Sequence, residues 1–273
     1  MLPYNNKNFN HFGLYTKTFN THAIFMWEYW VSVEKDKYES LKFVQKNITA
    51  DIKKTGGKMA LILSGNEARL WLQTGETYKK TIKKKIVGLI ADMILHTYKL
   101  EYLIKNFKFK TTSDINMQAF IKALVVFDWD IDKQIIVRML LGLDSVVISA
   151  FVSFKLSVLK TKWDDLVNLA NDNIIYLMSS DTFIELLKYL ISNLDFRTNE
   201  VNVFYNNCTY ILKDSKGMPI KEEHNDMKDC SDAVLITSLI SLSPQKIKLH
   251  IDNFDGDVIN LLFNLFGDRI AIC

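Results

Sequence analysis

The chain has 273 residues, of which 48% are hydrophobic and 24% charged, and its formal net charge is +3. This composition is that of a globular protein with a sizeable core, and it excludes a disordered chain. Only 10 glycines and 3 prolines are present, which favours a helix-rich fold because both residues weaken a helix interior. The charge is uneven: residues 1–179 carry 25 basic against 17 acidic residues (+8), and residues 180–273 carry 9 against 14 (−5).

The cysteine content and the apolar runs predict a cytoplasmic protein. Cys208, Cys230 and Cys273 do not make a disulfide framework in a chain of this size, so reduced thiols are expected. The amino terminus lacks the basic and apolar regions of a signal peptide. The longest apolar run, residues 139–154, contains Asp144 and is shorter than the roughly 20 residues that a membrane span needs. We therefore interpret it as a buried core helix and expect no membrane span.

Residues 1–78 predict an N-terminal α+β segment. The dense apolar and aromatic stretch at residues 23–30 is interpreted as a helix packed on the core, with a membrane-interface anchor as the alternative. Apolar residues at helical spacing predict a helix over residues 36–54, which ends at a glycine pair. Two strands of a hairpin are predicted over residues 58–64 and 69–73.

Residues 79–199 predict a helical body. One long helix is expected over residues 79–107, because apolar residues recur there at helical spacing. Further helices are predicted over residues 115–127, 131–143, from 144 or 145 to 160, over 163–178 and from 181 to about 194. Because the links between them are short, consecutive helices are expected to lie antiparallel in a bundle.

The period of the apolar residues changes from helix to strand within residues 181–205, and residues 200–273 predict a C-terminal α/β unit. Its expected elements are strands over 200–205 and 208–213, a helix over 232–242, a strand over 246–251, a helix over 255–266 and a strand over 269–273. The expected fold class is therefore α+β and predominantly helical. A central helical bundle carries a small N-terminal α+β cap and a C-terminal ββαβαβ unit.

The long helix begins with a run of five lysines, namely Lys79, Lys80, Lys83, Lys84 and Lys85. Cations at a helix N-terminus oppose the helix dipole, so one interpretation is a contact with an anionic partner, such as phosphate or an acidic surface. The other interpretation is a solvated face of a helix that its apolar stripe holds in place. Because no aromatic residues alternate with these lysines to stack bases, nucleic acid is not the expected partner, but a protein that binds nucleic acid or an anionic surface through this run stays an alternative.

No motif that carries chemistry is found in the sequence. A glycine-rich phosphate loop, a nucleophile elbow and an HExxH motif are all missing, and the cysteine and histidine spacings fit no zinc site. We therefore expect no cofactor, no metal and no enzymatic activity. A second alternative stays open, a small-ligand or enzymatic site at the strand C-termini of the βαβ unit, where Asp252, Asn253 and Asp255 follow a strand.

Five blocks of sequence carry a resemblance to a known family. They are FVSFKL at 151–156, FIELLKY at 183–189, VNV at 201–203, DAVLITSLISLSPQKI at 232–247 and FGDRIAIC at 266–273. In this order and spacing they resemble the sporulation proteins called YtxC, from endospore-forming Firmicutes, over about residues 80–273. The chain departs from the family pattern at two points. Lys155 stands where the family has arginine, and the helices at 115–143 are less acidic than those of the family. The resemblance implies a cytoplasmic, sporulation-linked protein, and it implies no reaction. Together with the missing catalytic motifs, it leads us to expect a protein that acts through an unidentified protein partner.

Overall fold

The computed structural model of the protein describes residues 26–108, 115–172, 180–206, 209–220, 232–250 and 256–273. The fold is α+β and predominantly helical, as predicted. The described residues form two four-stranded sheets, one built mainly from the N-terminal part and one from the C-terminal part of the chain. Within these described ranges no helix combines the length and the apolar character that crossing a membrane requires.

The first sheet has the strand order β2-β3-β1-β4. Its strands are β1 (Met26–Glu34), β2 (Lys58–Ser64), β3 (Glu67–Gly75) and β4 (Ser145–Val147). Strand β3 pairs antiparallel with both β1 and β2, whereas β4 runs parallel to β1. Helix α1 (Tyr38–Lys54) packs on this sheet through its buried residues, among them Leu41 and Val44.

The predicted helix at residues 23–30 is wrong, because the described part of that stretch belongs to β1. Trp27, Tyr29, Val31 and Val33 are buried at every second position, which is the period of a strand. The exposed or half-buried positions between them include the aromatic Trp30. Aromatic residues favour strands, and their density on both faces concealed the alternation in the sequence.

The helical body begins with three consecutive helical segments. They are α2 (Lys79–Met93), the π-helical segment Ile94–Lys99 and α3 (Leu100–Asn106). The predicted long helix is therefore confirmed in its extent, but six of its residues form wider π-helical turns. The next helices are α4 (Ile115–Val126), α5 (Trp129–Leu141), α6 (Ile148–Phe154), α7 (Ser157–Asp172) and α8 (Ser180–Ser192).

The apolar run at residues 139–154 is not a single buried helix, and the helix predicted up to residue 160 is also wrong. Helix α5 ends at Leu141, strand β4 follows, and α6 and α7 are separate helices. Val146 is buried and pairs with Val31 of β1. The run is interrupted because its β-branched residues complete the first sheet. The predicted helix at 163–178 begins earlier, at Ser157, and its predicted end lies outside the described residues.

The second sheet has the strand order β6-β5-β7-β8. Its elements along the chain are β5 (Thr198–Asn206), β6 (Thr209–Lys213), α9 (Asp232–Leu242), β7 (Pro244–His250), α10 (Gly256–Phe266) and β8 (Ile270–Ile272). Strands β5 and β6 are antiparallel, and β5, β7 and β8 are parallel. The predicted ββαβαβ order is confirmed.

Helices α8 and α9 join this unit to the helical body. Both pack against α4, and α8 also packs against α10. Phe183, Leu187 and Leu190 of α8 are buried, as predicted, and the Phe183 ring lies 5.5 Å from the ring of Phe120 in α4. The buried residues of both sheets and of the helices belong to one hydrophobic cluster. The division of the chain into segments 1–78, 79–199 and 200–273 stays a prediction.

Candidate functional site

A buried lysine–aspartate pair lies at the centre of the helical body. The Lys99 ammonium donates hydrogen bonds to Asp132 Oδ2 and to the Phe127 carbonyl oxygen, both at 2.9 Å. The indole Nε1 of Trp163 donates to the same Oδ2 atom at 3.0 Å. The Lys99 and Asp132 side chains are 0% and 2% exposed. These contacts tie the π-helical segment, α5 and α7 together with charge-assisted hydrogen bonds, which are stronger than neutral ones.

The π-helical segment is the reason that a lysine occupies this buried position. The buried stripe of the long helix passes through Ile86, Ile90 and Ile94 at steps of four residues, then steps five residues to Lys99 and four to Leu103. A regular α-helical turn would have placed Tyr98 in the stripe, because 3.6 residues complete a turn. The wider π turn shifts the register by one residue, and such turns are frequent at functional sites.

Burial has a direct electrostatic consequence for this pair. It lowers the pKa of the Lys99 ammonium below its ordinary value, and the nearby Asp132 carboxylate opposes that shift. The second carboxylate oxygen, Asp132 Oδ1, is buried without a hydrogen-bond partner in the described part of the chain. The pair therefore depends on one oxygen atom that accepts two hydrogen bonds, and the loss of either partner leaves a buried polar group unsatisfied.

A groove of about 420 Å³ adjoins the buried pair. It lies between the α4–α5 link, α7 and the chain that follows α8. Its lining, which we call the acidic groove, consists of Val126, Phe127, Asp128, Trp129, Asp130, Leu169, Tyr189, Leu190, Asn193, Leu194, Asp195 and Arg197. The carbonyl oxygen of Phe127 accepts the Lys99 hydrogen bond, so the groove and the buried pair share this part of the backbone.

The link between α4 and α5 forms one side of the acidic groove. Asp128 has a φ of +56°, in the left-handed region that aspartate tolerates better than most residues. Its carbonyl oxygen accepts the first hydrogen bond of α5, from the Asp132 amide at 2.9 Å. This tight connection leaves the Asp128 and Asp130 side chains exposed and buries Trp129 between them. The sequence Asp-Trp-Asp thus places two carboxylates beside an aromatic ring.

Arg197 supplies the opposite side of the groove and is held in place by α9. Its guanidinium carbon lies 4.6 Å from the Trp129 ring, and its Nη1 donates to the Ser241 carbonyl oxygen at 3.0 Å. The Arg197 amide donates to the Ser243 carbonyl oxygen at 3.1 Å. The His96 ring also packs on Trp129, at 4.5 Å. The Trp129 indole Nε1 is buried and has no hydrogen-bond partner within the described ranges.

The rim of the groove exposes two large side chains. Leu169 of α7 is 54% exposed and Tyr189 of α8 is 65% exposed. The groove therefore combines apolar walls, three carboxylates (from Asp128, Asp130 and Asp195) and a single guanidinium. A surface of this kind suits a partner that carries positive charge next to apolar side chains.

The five lysines predicted to contact an anionic partner lie at the start of α2, and three of them form ion pairs within the chain. Lys79 Nζ lies 3.0 Å from Glu76 Oε1, and Lys83 Nζ lies 3.1 Å from Asp144 Oδ1. Lys85 pairs with Asp51. Such pairs reduce the charge that these side chains offer to a partner. Lys80 and Lys84 are exposed, and anion binding by the run stays a prediction.

The ligand site predicted at the strand C-termini cannot be placed, since Asp252, Asn253 and Asp255 lie outside the described residues. A depression of about 570 Å³ is found at the other end of the second sheet, where Glu200, Lys246 and Arg269 lie near the starts of β5, β7 and β8. Cys273 is an exposed free cysteine, and Cys208 and Cys230 fall in undescribed segments. Across the described ranges no cluster of three or more histidine, cysteine, aspartate or glutamate side chains is placed to hold a metal ion.

Sequence reasoning did not find the buried pair or the groove. The only local signal for the pair was a lysine one position away from the apolar stripe of a long helix. The signal for the groove was the Asp-Trp-Asp sequence at 128–130, between two helical patterns.

The fold and its groove define a helix-rich α+β protein whose accessible surface includes an acidic, apolar-walled depression. The family model described as the YtxC-like family matches residues 78–271, and the chain therefore belongs to the YtxC-like family. Neither a curated protein nor a solved structure matches the chain. The matched segment contains the buried pair and every residue of the acidic groove.

Proposed function

We propose that this protein is a cytoplasmic protein of endospore-forming Firmicutes that acts in sporulation through contacts with a partner protein and not by catalysing a reaction. Membership of the YtxC-like family supports the link to sporulation. The acidic groove supports the mode of action. The absence of catalytic motifs from the sequence supports the assignment to a non-enzymatic class.

The observation that carries this proposal is the position of Leu169 and Tyr189 at the rim of the acidic groove. Both side chains are more than half exposed, although fully burying a leucine side chain is favourable by roughly 1.5–3 kcal/mol. Exposed apolar residues beside a concave surface mark interaction sites. Tyrosine is enriched at the centres of protein interfaces because it combines a large apolar ring with a hydroxyl group.

The charge of the groove indicates the chemistry of the partner. Asp128, Asp130 and Asp195 are exposed, whereas Arg197 is engaged by the Trp129 ring and the Ser241 carbonyl oxygen. A lysine or arginine of the partner, flanked by apolar residues, would place its charge near the carboxylates and its neighbours against Leu169 and Tyr189. Opposite charges across an interface raise the association rate and exclude partners of the wrong charge.

The test is the yield of heat-resistant spores from strains that carry variants of the groove. We expect the double variant Leu169→Glu/Tyr189→Glu to sporulate as poorly as the deletion strain, because two carboxylates replace the apolar rim. Since both positions are exposed, the purified variant should melt as the wild-type protein does. The matched control is Phe154→Glu, an 80% exposed apolar residue of α6, which should sporulate normally. Normal spore yield from the deletion strain, or from the groove variant, would contradict the proposal.

A further inference from the structure

Strand β2 forms an edge of the first sheet, and its composition is unusual for an edge. It pairs with β3 on one side, and no described segment of the chain pairs with its other side. Residues 59–63, MALIL, are five consecutive apolar residues. Ile62 and Leu63 are 48% and 52% exposed and, being adjacent, point to opposite faces of the sheet.

Edge strands of natural proteins are usually protected against pairing with other chains. The common devices are a central lysine, a proline, a β-bulge or a very short strand. Strand β2 has seven residues, contains no proline, and its single charge, Lys58, stands at its first position. Its register with β3 is continuous from Lys58 to Ser64, without a bulge. Among the described residues, the strand therefore offers an unpaired row of backbone N–H and C=O groups along an edge without a bulge.

We propose that β2 pairs antiparallel with β2 of a second copy of this chain, about a twofold axis at Leu61, so that two four-stranded sheets form one continuous sheet. This inference is independent of the acidic groove. Leu61 is the central residue of the strand, and a twofold interface brings the same surface of both copies together.

The apolar side chains of β2 complement each other in this register. Ala60 faces Ile62 of the second copy, and Met59 faces its Leu63. Ala60 also lies beside Trp71 of β3 in the same row of the sheet, and Trp71 is half-buried. Because alanine is small, the Ile62 side chain of the second copy can reach the flank of the Trp71 ring. Both exposed apolar residues of the edge, Ile62 and Leu63, thereby become covered.

The charges at the strand ends are also complementary. Lys58 faces Ser64 of the second copy, and Ser64 is the register partner of Glu67 on β3. The lysine of one copy and Glu67 of the other therefore lie in the same row on the same face of the sheet, separated by the small serine. The Glu67 side chain is 53% exposed and lies 3.6 Å from the Arg69 guanidinium of its own chain, so in the dimer it would contact both cations. The twofold axis creates this opposite-charge pair twice and places no like charges directly opposite each other.

Light scattering coupled to size-exclusion chromatography of the full chain tests the proposal. We expect the wild-type protein to have twice the chain mass of 31.7 kDa and Ile62→Lys to have the mass of one chain, because a central lysine is an edge-protecting residue. Met218→Lys changes a 62% exposed apolar residue outside the sheet edge and should remain dimeric. A wild-type protein that runs as a single chain overturns the proposal, and so does a dimer that Ile62→Lys leaves intact.

A charge exchange tests the register. Lys58→Glu alone and Glu67→Lys alone should each raise the dimer dissociation constant several-fold, since each change replaces two attractive pairs across the interface by two repulsive ones. The double variant Lys58→Glu/Glu67→Lys should recover most of the wild-type affinity, as measured by analytical ultracentrifugation. Single variants that dimerise as the wild type does, or a double variant that is not rescued, would exclude this register.

Discussion

Replacing Asp132 by asparagine removes the charge that compensates Lys99 and keeps the shape of the side chain. In the folded protein the carboxylate accepts hydrogen bonds from Lys99 Nζ at 2.9 Å and from Trp163 Nε1 at 3.0 Å. Removing one member of a buried ion pair costs about 3–5 kcal/mol, because the other charge stays buried without compensation. We expect Asp132→Asn to lose about this much of a total stability that is typically about 5–15 kcal/mol.

The pH dependence of the loss identifies its origin. Burial already lowers the pKa of Lys99, and Asp132 opposes that shift, so the variant should have a still lower folded-state pKa. Between that pKa and the unfolded value of about 10.4, the unfolded state binds one proton more than the folded state. The stability of Asp132→Asn should therefore rise with pH in this window by up to about 1.4 kcal/mol per pH unit, and the wild-type stability should rise less.

Urea unfolding followed by circular dichroism, at several pH values between about 6 and 9, measures both effects. The double variant Lys99→Met/Asp132→Asn is the control, because it removes both charges and keeps an acceptor for the Trp163 indole. We expect it to recover most of the lost stability and to show no extra pH slope. An Asp132→Asn variant that loses less than about 1 kcal/mol and has the wild-type pH slope would refute the buried-pair account.

Three further predictions concern single side chains. Trp163→Phe should lower the free energy of unfolding by about 1.5–3 kcal/mol in urea titrations, because it deletes a hydrogen bond to a buried carboxylate. Leu187→Asp should abolish cooperative thermal unfolding, since Leu187 is 0% exposed. The control Tyr189→Asp, at a 65% exposed position two residues away, should still melt cooperatively. A Leu187→Asp variant that melts cooperatively would show that Leu187 is not a core residue. Burial and the hydrogen bond to Glu34 raise the pKa of Tyr98, so the stability that the protonated hydroxyl contributes is present below about pH 10 and is lost as the pH rises further. The free energy of unfolding should therefore fall less steeply at alkaline pH in Tyr98→Phe than in the wild type. An equal dependence on pH in both proteins would contradict this.

The sequence predicted well those elements whose pattern is local. Helix α1 and helix α4 have an uninterrupted helical period, and the hairpin β2–β3 has a glycine at its turn. The C-terminal strands and helices alternate with clear turn residues between them. In each case the residues whose pattern predicts the element lie close together in the sequence.

The elements that were missed depend on distant parts of the chain. Strand β4 exists because Val146 pairs with Val31, more than a hundred residues earlier. The π-helical turn brings Lys99 to Asp132, 33 residues away. The sequence around either residue gives no sign that the two are in contact. No local period contains these contacts, so sequence periodicity alone does not predict them.

The acidic groove was missed for the same reason. Its walls come from the α4–α5 link, from Leu169 and from residues 189–197, which are adjacent only after folding. The sequence analysis instead selected the lysine run of α2 as the candidate contact site, because positive charge is concentrated there. Three of those five lysines have acidic partners within the chain, a fact that charge counting does not reveal.

The central claim, that the acidic groove binds a partner protein, is tested most directly by site-specific photo-crosslinking in sporulating cells. A photoreactive phenylalanine analogue is placed at Tyr189 or, as a control, at Phe154, and the crosslinked products are identified by mass spectrometry. We predict one dominant protein adduct from position 189, through a segment that contains lysine or arginine, and its loss when Asp130→Lys and Asp195→Lys are added, since neither residue has a positive φ. The same products from both positions, or an adduct that the charge reversal leaves unchanged, would contradict the claim.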